Sequence, residues 1–183
     1  TGITAFLQKG LASTLRDLPV PDMIALVMEC GSTGVNVLAL LDAANTSAYG
    51  KPQITSVKTT VMKRPGILIT GHDLLDLCEL LKQTEGTGIN VYTHSEMLPA
   101  HGYPELKKFT HLAGNYGGAW QEQRKEFAAF SGAIIATTNC VLTPLANTYL
   151  DRLFTIGITG VTGATHIKNR DFSAVIKRAK ELP

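Results

Sequence analysis

The chain has 183 residues, of which 44% are hydrophobic and 17% charged, with a net charge of +2. That length and apolar content allow a substantial buried core and exclude a disordered chain. So small a charge argues against a nucleic-acid surface, whose footprint is a strongly basic face, and no uninterrupted apolar run approaches the roughly 18 residues of a membrane span.

Residues 3–16 are predicted to be helical, because Ile3, Phe6, Leu7, Leu11 and Leu15 recur at helical spacing. Pro19 and Pro21 break that pattern, and Asp22 then caps a long helix over 23–45 with Met23, Ile24, Val27, Met28, Val35, Leu38 and Leu41 among its apolar positions. Gly31 and Gly34 each weaken it by about 1 kcal/mol relative to Ala; close packing on a neighbouring helix would explain them. Residues 1–50 thus read as a helical hairpin, part of an N-terminal helical domain. Residues 46–65, with Gly50, Pro52 and Pro65, read as a connector with one short edge strand at 54–61.

After Pro65 the pattern changes. Gly66–Thr70 reads as a buried strand, Asp73 starts a helix with Leu74, Leu77, Leu80 and Leu81 on one face, and Gly86 and Gly88 stop it. Strands follow at 89–93, 110–114, 133–137 and 153–157. A short helical piece is expected near 104–108, a helix over 119–130 carrying Trp120, Phe127 and Phe130, and a final amphipathic helix over 171–181. Strands alternating with helices imply βαβ units and a parallel sheet. The expected fold of residues 51–183 is therefore a Rossmann-like, doubly wound α/β sheet of about five strands in the order 3-2-1-4-5.

Three stretches carry chemistry at strand ends: Gly71-His72-Asp73, the run from Thr93 through Glu96 to His101, and Thr137-Thr138-Asn139-Cys140. In the expected order, strands 1, 2 and 4 are neighbours, so His72, Glu96 and Cys140 come from adjacent carboxyl ends, where open α/β sheets bind ligands. Singly, each has a plainer explanation: a helix-capping imidazole, a salt-bridged carboxylate, a packing thiol. Together they form a mixed N/O/S donor set suited to iron, with a zinc site of three protein ligands as a rival. Nucleotide binding is disfavoured, since the turn after the first strand lacks G-x-G-x-x-G and no GxxxxGK[ST] is present.

His94 and His101 flank Glu96 and are candidate partners that orient a ligand or relay protons; loop packing is the alternative for each. His111 reads as structural, and His166 is ambiguous. Cys30 and Cys78 lie in helical patterns and read as packed, buried or half-buried thiols. An odd, sparse set of cysteines without CxxC is no disulfide framework. With no signal-peptide pattern at the N-terminus, a reducing cytoplasm is the expected setting. Thr1-Gly2 is not a natural start, so a fragment or processed piece is expected.

The stretches Gly66–Leu74, Gln83–Gly88, Val91–His101, Gly114–Trp120 and Thr137–Cys140, together with Leu40–Thr46, resemble the hybrid cluster proteins, also called prismane proteins or hydroxylamine reductases. The resemblance runs through nearly the whole chain. It implies an oxidoreductase that reduces hydroxylamine, and possibly nitric oxide, at a hybrid iron–sulfur–oxygen cluster held by a His, two Glu and several Cys, one of which can be persulfidated. Carried over, the ligands are His72, Glu96 and Cys140. The resemblance also implies a second, conventional 4Fe–4S cluster whose ligands this chain lacks. Implied partners are a small N–O substrate, an electron-donor protein and the remaining domains of the parent chain or another chain, with neither nucleic acid nor membrane. This chain resembles the middle domain plus a helical hairpin and is incomplete alone. Alternatives are a carbon monoxide dehydrogenase-like metal domain and a non-catalytic isolated domain.

Overall fold

The computed structural model describes residues 2–182; Thr1 and Pro183, the outer ends of the two expected domains, lie outside them. The chain divides into two compact units, the first ending at Ala48 and the second beginning at Tyr49.

The first unit is built from helix α1 (Gly2–Ser13) and all but the last residue of helix α2 (Val20–Tyr49). Lys9 of α1 pairs with Glu29 of α2. α2 begins earlier and ends later than the sequence pattern predicts. Pro21 lies in its first turn instead of breaking it, since proline lacks only an N–H that has no partner there. Asp22 sits in the same turn, where a carboxylate favours the helix dipole, and is not the cap. Among the described residues no helix packs closely on Gly31 or Gly34: a Cβ at either would meet nothing within 4 Å. Cys30, expected to be packed, is exposed. Among the described residues α2 is also long and apolar enough to cross a membrane by length and composition, with mean hydropathy 1.7 over an 18-residue window. This corrects the reading from uninterrupted runs. Gly31, Ser32, Thr33, Gly34 and Asn36 interrupt the apolar residues without adding charge, so the average stays high.

In the second unit the chain runs β1 (Gly66–Thr70), α3 (Leu74–Thr84), β2 (Asn90–His94), a 3-10 helix (Ser95–Gly102), α4 (Pro104–Lys107) and β3 (Leu112–Tyr116). A short 3-10 turn leads into α5 (Gln123–Ala129), followed by β4 (Ala133–Ala136), β5 (Leu153–Ile156), β6 (Thr165–Ile167) and α6 (Ser173–Glu181). All strands are parallel, in the order β3-β2-β1-β4-β5-β6. This is the expected fold class with the expected neighbours around β1. The sixth strand was not expected: a three-residue strand gives too short a pattern to read. The edge strand expected at 54–61 is not formed. That segment instead runs beside β3 without forming a strand, and Lys58 O accepts from Asn115 N–H at 2.8 Å. A Cβ on Gly114 would sit 2.3 Å from that carbonyl oxygen, so this close approach requires glycine there.

Alternation along the strands serves two faces. Ile67, Ile69, Val91 and Ile135 face a core shared with Leu77, Leu80 and Leu81 of α3 and Val175 of α6. Leu68, Tyr92, Ile134 and Leu153 face a second core with Phe127 of α5, Phe130 at its end, and Tyr149. Leu68 and its neighbours in β1 are 0% exposed. Each such side chain contributes about 1.5–3 kcal/mol, enough to hold the strand ends in fixed register.

Candidate metal centre

β1 ends at Thr70, and Gly71 makes the turn at φ +116. A Cβ on Gly71 would lie 2.3 Å from Thr137 Oγ1, so only glycine lets the loop after β4 close onto the turn after β1. Thr137 seals that contact, donating from its backbone N–H and its hydroxyl to Thr70 O at 2.9 and 3.0 Å. Next along, Asp73 caps α3 by accepting from Asp76 N–H at 2.8 Å. His72 is thereby held between a closed turn and a helix cap. Its Nδ1 lies 3.2 Å from Thr138 Oγ1.

From β2 the chain leaves through Ser95, at φ +50, into the 3-10 helix that presents Glu96. Glu96 Oε2 lies 2.8 Å from His72 Nε2, and each side chain is about half exposed, at 49% and 50%. From β4 the chain passes through Thr138 and Asn139 to Cys140, whose exposed Sγ lies 3.7 Å from His72 Nδ1. One ligand atom from each of His72, Glu96 and Cys140 falls within 4.8 Å of the others. The structure thus brings together the three residues the sequence singled out, at neighbouring strand ends. An imidazole nitrogen, a carboxylate oxygen and a thiol sulfur so close together fit a shared iron centre as part of its ligand set. Their exposed side leaves room for ligands from elsewhere.

His94 and His101 lie below this rim. His94 is 0% exposed; its Nε2 donates to Glu126 Oε2 at 2.8 Å and its Nδ1 lies 3.1 Å from Thr70 Oγ1. Burial lowers its pKa, and Glu126 opposes that shift. His101, 6% exposed, has Nε2 2.9 Å from Thr93 Oγ1, which in turn donates to Asn115 Oδ1 at 2.8 Å. Burial lowers its pKa too, against a hydrogen bond with the Gly114 backbone. His111 is structural, with Nε2 2.9 Å from Thr84 Oγ1 and 3.1 Å from Leu81 O. His166 pairs with Thr155 Oγ1 at 3.0 Å on the β5–β6 edge, and Cys78 is half-buried against the α3 core.

Sequence reasoning missed Gln123, Glu126 and the separate tasks of Thr137 and Thr138. The threonines stood in a quoted motif, but nothing local in the sequence links α5 to strand ends far from it in the chain.

The Prismane/CO dehydrogenase family matches residues 1–183. The chain is 56% identical over 191 residues to the hydroxylamine reductase of Nitratidesulfovibrio vulgaris strain Hildenborough, covering 100% of this chain and 34% of that protein. It is 59% identical over 187 residues to the hydroxylamine reductase of Kosmotoga olearia, covering 98% and 34%, and 57% identical over 183 residues to that of Moorella thermoacetica, covering 99% and 43%. It spans about a third of the first two relatives' length. Such homology implies an iron–sulfur cluster protein. The chain belongs to the Prismane/CO dehydrogenase family, as a stretch homologous to part of hydroxylamine reductase.

Proposed function

We propose that this chain supplies His72, Glu96 and Cys140 as protein ligands to the hybrid iron–sulfur–oxygen cluster of a hydroxylamine reductase. The observation that carries the reading is the gathering of imidazole, carboxylate and thiol within 4.8 Å at three adjacent strand ends, in a chain whose relatives bear that enzyme's name. The carbon monoxide dehydrogenase alternative ranks below it, because the relatives cited above are named hydroxylamine reductases.

When bound, such a cluster supplies electrons and open iron positions for a small N–O substrate. The overall reaction, hydroxylamine with two electrons and two protons giving ammonia and water, calls for an electron-donor protein and a proton supply. The residues of this chain hold the iron and furnish hydrogen bonds around it. Thr138 beside His72 Nδ1 fixes the ring's orientation, as hydrogen-bonded partners of metal-ligating histidines do. The string Thr70–His94–Glu126 offers a proton route that ends on a carboxylate 19% exposed. His101, with Leu98, Pro99 and Asn115, lines an open cleft of about 710 Å³ and is the second relay candidate. Exposed apolar residues of α2 such as Val27, Met28 and Leu38 are proposed to pack on other domains of the parent. Glu29 within that helix weighs against a membrane span.

The test is iron and sulfide analysis with electron paramagnetic resonance on a full-length protein carrying this stretch. A cluster signal lost in His72→Ala, Glu96→Ala and Cys140→Ser supports the reading, and a colourless, iron-free protein contradicts it. His94→Gln and His101→Gln should slow turnover with the cluster retained; unchanged rates would remove the relay roles.

A further inference from the structure

Helix α5 reaches back to two arms of the site. Gln123, 2% exposed, donates from Nε2 to the Cys140 carbonyl at 2.8 Å and accepts at Oε1 from Leu142 N–H at 2.8 Å. Its neighbour Arg124 donates from Nε to Thr143 O at 2.9 Å. Three residues after Gln123, and so on the same helix face, Glu126 accepts at Oε2 from His94 and at Oε1 from Gly118 N–H at 2.7 Å. A Cβ on Gly117 would lie 2.5 Å from Glu126 Oε2, so that turn is shaped around the carboxylate.

The importance of these bonds follows from what else could hold the arms. No helix or strand forms between Ala136 and Leu150, so no backbone ladder fixes Cys140. Between the Thr137 bonds to Thr70 O and the Arg124 bond to Thr143 O, one buried amide satisfies a carbonyl and an N–H on either side of Val141 and pins the stretch at Cys140. Glu96 leaves β2 through Ser95 at the start of the 3-10 helix, and the side chain before it that α5 anchors is His94, held by Glu126. We propose that Gln123 and Glu126 are positioning residues, and that α5 is a brace setting the separation of Cys140 and Glu96. This rests on the reading of His72, Glu96 and Cys140 as a metal site.

The test uses cobalt(II) as the probe, titrated into this chain and followed by its thiolate charge-transfer absorption. The wild type should show a band that disappears in Cys140→Ser. Gln123→Met, similar in size but unable to make either bond, and Glu126→Leu should each lower cobalt affinity about tenfold or more and weaken the band per bound cobalt. Far-ultraviolet circular dichroism serves as the check on folding. If both variants bind cobalt as the wild type does, with the same band, the brace is overturned and the metal site stands. If the wild type itself shows no Cys140-dependent band, the metal site falls and the brace with it, a result seen before any brace variant is made. Should the variants not fold, amide hydrogen exchange on the wild type decides. Slow exchange at Leu142 and Gly118 N–H supports the brace, and free exchange at both overturns it.

Discussion

His72 Nε2 stands 2.8 Å from Glu96 Oε2, with both side chains about half in solvent. A solvated pair of this kind contributes about 0–1 kcal/mol to stability, too little for folding to depend on it. Its residues are placed by the Gly71 turn, the Asp73 cap and the Ser95 exit. Under the proposed function, a pair positioned so closely by the backbone and worth so little to folding serves metal binding.

Glu96→Gln should therefore cost less than about 1 kcal/mol in urea denaturation while sharply lowering metal uptake. A large loss of stability with unchanged metal content would show the carboxylate to be a structural member.

Gly71→Ala should be severely destabilising. At φ +116 a side chain is strained by roughly 1–3 kcal/mol, and its Cβ would also press on Thr137 Oγ1. The loop carrying Cys140 must then open or the turn carrying His72 must shift. Thermal denaturation checks the loss; a melting temperature within a degree or two of wild type would contradict this account of the turn.

Burial lowers the pKa of His101 and of His94 below the ordinary 6.5. Above 6.5 both folded and unfolded forms hold neutral rings, and the full contribution to stability is present. As pH falls below 6.5 the unfolded chain binds protons the folded one refuses, so stability drops and is lost through the folded pKa values. The metal-free chain should melt at lower temperature at pH 5 than at pH 7, by a margin that shrinks in His101→Gln. An equal margin in that variant would show that His101 does not carry the effect.

Much of this was legible in the sequence because the second unit is locally consistent. The run Gly66–Thr70 is short, apolar and β-branched between turn residues, and Asp73 followed by leucines at helical spacing can hardly be anything but a helix start. Alternating strands and helices point to a doubly wound sheet, whose usual strand order brings the ends of strands 1, 2 and 4 together, and with them His72, Glu96 and Cys140. The rest failed for physical reasons. Segment 54–61 makes a single backbone contact to β3, Asn115 N–H to Lys58 O, and not the repeated bonds of a strand. Helix α2 absorbs Pro21 at its first turn, and its small polar residues hide its average hydropathy from a search for unbroken runs. Gln123 and Glu126 act through contacts between residues distant in the chain, which no periodicity records.

The most direct measurement is a crystal structure of an iron-loaded, full-length protein carrying this stretch, with anomalous diffraction at the iron edge. Iron density within bonding distance of His72, Glu96 and Cys140 together is the result predicted. Iron bound elsewhere, with the His72–Glu96 pair intact and Cys140 unligated, would contradict the account.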